Sequence, residues 1–413
     1  MDQKKSYELK DWIATRAEGF RLLTQFIPNM GQVYAQRRGF DNGPGKHVDV
    51  SCLSPYIRRR LVTEYEVISA AIDAHGLAHA ERFVEQLLWR TYFRGWLELR
   101  PDVWVAYWSG LNADLVQVNT DSDLRDRFEA AVSGRSGLTC FDNWINELVQ
   151  TGYLHNHARM WVASIWVFTL GLPWRLGADF FYRHLLDGDA ASNICSWRWV
   201  AGLHTWGKAY EARASNISTF TRGRFSLDEC CLASDIRSLH HLEPEGLPAA
   251  GCMRKVQPPK KGVPTAVLLT EEDCSISEDY FSELDIRAVG ALHGSNLRSP
   301  LPVSAAVAKF ESDALDDHAS RLSFDVIKMN TQTDESIVEW VQASGAKQLV
   351  MPYVPVGPLS GWLTKTSHDL QAQGVYIAEW RRDWDTLVWP YATAGFFRVK
   401  SRLPEILKKV GLI

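Results

Sequence analysis

Near Thr265 the chain changes period, and this change constrains the fold more than any other feature of the sequence. Up to about residue 225 apolar residues recur at i, i+3 and i+4, most clearly in 78–100 (AHAERFVEQLLWRTYFRGWLELR) and 142–171. Pro101 and Pro173 stand where such helices should stop or bend. Beyond Thr265, short apolar runs take over: TAVLLT, RAVGAL, FDVIKM, KQLVMP and GVYIAE. SIVEWVQASG and LSGWLTKTSHDLQAQG read as helices between them. Strands alternating with helices predict a parallel, doubly wound sheet. The expected architecture is a mainly α domain over 1–225, a linker over 226–264 and a smaller α/β, Rossmann-like domain over 265–413. The linker reading rests on scattered Pro and Gly and the basic stretch from Arg254 to Lys261. No G-x-G-x-x-G or G-x-x-x-x-G-K-[ST] sequence occurs, so the second half shows no standard phosphate loop.

The bulk numbers exclude more than they select. A net charge of −4 over 413 residues advertises no nucleic-acid partner by itself. Locally, Arg58-Arg59-Arg60 is dense, with Arg90, Arg94 and Arg100 further on. A solvated helix face is the ordinary reading of such a run, and a phosphate-contacting patch is the sharper one. The 7 cysteines have no C-x-x-C spacing, which argues against zinc or a disulfide framework and suits a reducing cytoplasm. No metal is expected. The opening MDQKKSYELKDW has no apolar core of a signal peptide, and the stretch from Trp161 to Trp174 contains Pro and is too short to span a bilayer. A soluble cytoplasmic protein without a membrane partner is therefore expected. Tryptophan is the compositional outlier at 17 residues, mostly in the helical half, and core packing is the plain use of any one of them.

Four helical-half segments invite a chemical reading. Val50-Ser51-Cys52-Leu53-Ser54-Pro55-Tyr56 could cap a helix or offer donors to a phosphate. Gln86-Leu87-Leu88-Trp89-Arg90 follows on a helix. In Tyr153 to Met160, Asn156, Arg159 and Met160 share one helical face, a grouping that suits a polar cofactor pocket better than an apolar core. Asp187-Gly188-Asp189 leads to Asn193, Trp197 and Trp199; two carboxylates around a Gly could be a turn, a metal site or a clamp on a heterocycle. Asp, Asn and Arg are the groups a flavin ring edge requires.

From Cys140 to Phe225 the sequence resembles the FAD-binding domain of DNA photolyases and cryptochromes. The resemblance extends back through QLLWRTYFRGWLE, SCLSPYI and YAQRR, covering about 30–225, with LSPY, LLWR, HN-x-A-R-M, DGD-x-x-x-N and W-x-W in that order. It implies FAD as cofactor. Ser51, Leu53 and Ser54 would lie near the pyrophosphate, with Tyr34 close by and Phe83 where relatives carry Trp. Arg90 and Asn156 would line the pocket, Arg159 would pair with Asp187, Asp189 would bond the pyrimidine edge, and Asn193 would face N5. Trp197 and Trp174 match the inner two rings of an electron-hopping chain whose outer position falls at Val118. Trp161, Trp166, Trp104 or Trp108 are candidate replacements for the surface end.

The same resemblance places Gln86, Trp89, Trp199 and Met160 at the substrate pocket, the two Trp matching rings that stack on a flipped-out dimer. Gln86 stands where cyclobutane-dimer photolyases usually carry Glu, whereas Asn156 and Met160 look like that type. Repair of pyrimidine dimers in damaged DNA is the leading expectation. A cryptochrome-like photoreceptor with a signalling partner is the alternative. The domain order looks reversed relative to photolyases, and the tail faintly resembles the end of an antenna domain. Whether a second, antenna chromophore binds there stays open.

Overall fold

The computed structural model describes residues 12–331 and 337–413. The first eleven residues, read above as carrying no signal peptide, lie outside them, as does the start of the helix expected at 336.

The helical half comprises α1 (Arg16–Phe26), α2 (Gln32–Arg37), α3 (Ser54–Arg58), α4 (Glu64–Glu98), α5 (Pro101–Thr120) and α6 (Ser122–Val132). It continues with α7 (Thr139–Thr151), α8 (Asn156–Ser164), α9 (Trp174–His184), α10 (Ala190–Val200) and α11 (Ala214–Phe220). Thr63 starts α4 with a capping box to Glu66, and Gly76 interrupts its helical path. Pro101 opens α5 and Pro173 caps α9, as their positions predict. The 142–171 stretch is not one helix. Gly152, in the left-handed conformation, closes α7, His155 caps α8, and a π-helical turn over Ile165–Thr169 ends the run.

The second half holds β1 (Pro264–Thr270), β2 (Asp285–His293), β3 (Val326–Asn330), β4 (Gln348–Pro352) and β5 (Tyr376–Trp380). All pair in parallel, in the order β3-β2-β1-β4-β5. Each strand candidate in the sequence corresponds to one of them. The helices are α12 (Ala305–Ser320), which the sequence reading passed over, α13 (Ile337–Ala343) and α14 (Pro358–Ala372). The chain then returns to the helical half as α15 (Asp383–Val388), α16 (Phe396–Lys400) and α17 (Leu403–Lys409).

One apolar core runs through both halves, from Leu22, Tyr56 and Phe83 to Val267, Phe310, Tyr353 and Trp389. A second fills the helical half around Trp144, Trp161, Trp166, Trp174 and Trp197, and a third lies under α13 and α14. The 226–263 segment is no loose tether. Its Glu243 pairs with Arg198 of α10, Gly251 N donates to Leu99 O at 2.8 Å, and Arg254 pairs with Glu379 of β5.

The Arg58–Arg60 run corrects the expectation of either a solvated face or a phosphate patch. The three residues are only 2%, 1% and 3% exposed. Their guanidiniums meet acids of the α/β half: Arg58 with Glu272 at 2.7 Å through two nitrogens, Arg59 with Glu311, and Arg60 with Asp273 and Asp385. A buried charge requires a partner, and the four acids named here each lie more than two hundred residues away in the chain. The run therefore joins the halves at the carboxyl end of β1, beside the point where the strand order reverses. Doubly wound sheets usually bind ligands in that crevice. Here only about 10 Å³ remains, among Arg58, Arg94, Asp189, Glu272 and Gly357, room for about one water.

Candidate functional site

A cavity of about 430 Å³ opens among α4, α8, α9 and α10. From α4 it takes Gln86, Trp89 and Arg90, one turn apart on one helix face. From α8 come Asn156, Arg159 and Met160, the trio whose spacing placed them together. The stretch leading into α10 supplies Asp187 and Asp189, and α10 itself Asn193, Trp197 and Trp199. Arg38 and Ser192 also line it. Arg38 lies within the quoted YAQRR stretch, yet its spacing gave no sign of a role.

Arg159 grips Asp187 through two parallel bonds of 3.0 and 2.9 Å, and its Nε donates to Leu154 O. Burial alone would raise the Asp187 carboxyl, but the Arg159 guanidinium and the Ser54 hydroxyl outweigh it and hold the group below its usual range. Ser54, the first residue of α3, thereby touches the site. Ser51, Leu53 and Tyr34 do not line the cavity. Leu53 is wholly buried, Ser51 Oγ accepts from Leu53 N, and Tyr34 packs edge-on against Phe83 with its hydroxyl pushed up to about 12 by burial.

Asp189 caps α10 by accepting from Ser192 N at 2.8 Å, and it sits 3.2 Å from Arg94 and 3.4 Å from Arg58. Burial opposes its charge, yet those guanidiniums hold the carboxyl far below the ordinary range. Arg94 also reaches Glu272 at 2.8 Å. A single relay thus runs from the cavity wall through two arginines to the end of β1. Sequence reasoning missed Arg58 and Arg94 as parts of the site; the i, i+4 spacing of Arg90 and Arg94 was the available signal.

Several buried polar groups here lack a hydrogen-bond partner. Arg90 Nε and Nη2 are buried without a hydrogen-bond partner, and burial pushes this guanidinium down to about 10. Ser192 Oγ is likewise unpaired. Asn193 Nδ2 donates to Ala178 O at 2.8 Å, which fixes the amide and orients its oxygen. Unpaired buried donors beside a charge pair and indole rings fit a planar heterocycle carrying both N–H and C=O groups.

The tryptophans divide. Trp197 bounds the cavity and rests on α9 at Gly177, where an added Cβ would fall 2.3 Å from its ring. It lies 6.2 Å from Trp166, edge to face. Trp174, one turn before Gly177, is buried 5.8 Å from Tyr107. Trp104 lies 5.5 Å beyond and Trp108 a further 5.6 Å, both half-buried on α5. Val118 is buried on the same helix. Trp161 is wholly buried, stacked on Trp144 and His157. Trp199 leans on Tyr210, and Trp89 lies flat on Phe396 of α16 at 3.8 Å and 6°.

A pocket lined by helices and joined to a doubly wound sheet fits an FAD-binding domain of the photolyase type. Residues 83–223 match the family described as "FAD binding domain of DNA photolyase". Over this stretch the chain is similar to photolyases and cryptochromes. It is 37% identical over 155 residues to a deoxyribodipyrimidine photo-lyase of Streptomyces griseus, covering 38% of this chain and 32% of that protein. It is 34% identical over 154 residues to a cryptochrome DASH of Danio rerio, covering 37% of this chain and 28% of that one. A crystal structure of a Synechocystis cryptochrome aligns with TM-score 0.43 and 21% identity, covering 54% of this chain and 46% of that one. The chain thus spans about a third of the length of the two curated relatives named. Among the described residues, no helix is long and apolar enough to cross a membrane, and no group of three or more His, Cys, Asp or Glu could hold a metal.

Proposed function

We propose that this chain is a FAD-dependent, blue-light-driven photolyase that repairs UV-induced pyrimidine dimers in DNA in the cytoplasm. The observation that carries the reading is a single cavity lined by Trp89, Trp199, Gln86, Asn156 and Met160 together with the Arg159–Asp187 pair. FAD, when bound, supplies a blue-light absorber able to give and take single electrons. Arg159 and Asp187 would hold the polar ring edge, Arg90 would give its free donors to that ligand, and Asn193 would sit at N5. Asp189, already shared between Arg58 and Arg94, would accept from the pyrimidine edge. Ser54 would face the pyrophosphate side, with Ser51, Leu53 and Tyr34 supporting it from behind.

The dimer would leave the duplex and lie against Trp89 and Trp199, with Gln86 or Asn156 hydrogen-bonding a base carbonyl. It takes up one electron, its two cyclobutane C–C bonds break, and the electron returns, so only light is consumed. The protein's part is orientation and exclusion of water. Trp197 and Trp174 would refill the site with electrons from an external thiol. The row Trp174, Tyr107, Trp104, Trp108 supports an exit to the surface that Val118 cannot give.

A second reading has a specific motive. Gln86 replaces the usual Glu, and the net charge is negative, which favours a cryptochrome-like photoreceptor with a protein partner. The deciding assay uses oligonucleotides carrying one defined lesion, a cyclobutane dimer or a (6-4) photoproduct. Restoration of intact thymines only under blue light establishes repair and names the lesion. No repair by fully reduced, flavin-loaded protein transfers the assignment to light sensing.

A further inference from the structure

Trp89 has one face already taken. Phe396 lies parallel to it, 3.8 Å between ring centroids, and belongs to α16, which follows the sheet in the chain. Four contacts bolt this segment to α4 and the residues just after it. Trp389 seats over Gly95, where any side chain would fall 2.7 Å from its ring. Arg100 donates to Thr393 O at 2.8 Å, Tyr92 Oη to Ala394 O at 3.1 Å, and Lys400 pairs with Glu85. Phe396 itself is buried and also meets the edge of Tyr92. The indole surface of Trp89 that Phe396 leaves uncovered bounds the cavity.

We propose that Phe396 is a positioning residue that fixes the plane of Trp89 in the cavity wall, so that the tail of the α/β half shapes the substrate side of the helical half's pocket. A half-buried indole at the edge of a cavity has several rotamers available, and ordering them only on binding would cost affinity. A parallel ring removes that freedom beforehand. The substrate arm of the inference rests on the reading of Trp89 as a ring that meets a flipped base.

The test compares Phe396→Leu, which stays apolar and loses the flat ring, with Phe396→Tyr, which keeps the ring. Full-length protein with indole-¹⁵N tryptophan gives the Trp89 N–H resonance, identified by its loss in Trp89→Phe. We expect that resonance to move in Phe396→Leu and to stay near its place in Phe396→Tyr, with flavin content unchanged in both. Affinity for an oligonucleotide bearing one thymine dimer should fall about 3- to 10-fold in Phe396→Leu, the scale of one aromatic pair. On a Trp89→Ala background the same change should do nothing further. An unmoved resonance overturns the proposal. So does a moved resonance with dimer affinity kept, or an affinity loss that persists on the Trp89→Ala background. If the resonance moves while wild-type protein binds dimer and intact DNA alike, the positioning stands and the repair reading falls.

Discussion

Single side chains in this pocket act as pairs, and their removal should be read that way. The Asp187 side chain is 7% exposed and stays charged because Arg159 holds two of its lone pairs. Asp187→Asn leaves Arg159 without its partner, and flavin affinity should fall at least about tenfold, roughly 1.4 kcal/mol or more, measured by fluorescence titration of apoprotein. Trp197 is the indole of the inner pair that touches the cavity. Under blue light with a thiol, Trp197→Phe should fail to photoreduce the flavin, and unimpaired reduction would refute its assigned part. Tyr107 bridges Trp174 to the half-buried Trp104. Tyr107→Phe should slow the same photoreduction while leaving flavin content intact, and an unchanged rate would send the exit elsewhere.

At the scale of elements, the connection that matters runs from α3 and α4 to the carboxyl end of β1. Glu272 sits under Arg58 and Arg94, which outweigh its burial and hold it down to about 2. A carboxyl depressed in the folded state adds stability above its ordinary pKa and loses it as pH falls toward the depressed one. Unfolding followed by circular dichroism should therefore show an acid-side loss between about pH 4.5 and 2. Glu272→Gln should flatten that slope and cost about 3–5 kcal/mol at neutral pH, because two buried guanidiniums then share Asp189 alone. An unchanged acid limb would show that Glu272 does not carry it.

The same scale shows what the sequence disclosed. Strand runs were legible because buried parallel strands are continuously apolar, as in TAVLLT. The Asn156, Arg159, Met160 face was legible because helical spacing alone sets it. The arginine run was misread because its acids come from remote strands and helices, and no local pattern encodes such a pairing. Helix α12 was passed over because acidic and alanine residues dilute its apolar stripe. Tyr34 and Leu53 came from resemblance; both are buried, Tyr34 edge-on to Phe83, and neither lines the cavity.

For the whole molecule, the two halves are not separable parts. Their shared core and the buried ion pairs between them make each half an incomplete solvent for the other's charges. A fragment ending at residue 225 should be insoluble or flavin-free, and co-expression with 226–413 should restore visible flavin absorbance. A soluble, yellow fragment would contradict this. The filled crevice at the strand reversal makes the same point, since the sheet's usual ligand mouth holds side chains of the other half.

Those distant pairings also bear on synthesis. The arginines of residues 58–60 leave the ribosome long before their acids, with Glu272 coming 214 residues after Arg58 and Asp385 coming 325 after Arg60. Domains usually fold in the order they are made. Here the first-made half is expected to complete its arginine pairs only after most of the chain has been added. Flavin capture is therefore expected of the finished polypeptide, and a stalled or truncated nascent chain is expected to leave uncovered the apolar face it shares with the α/β half.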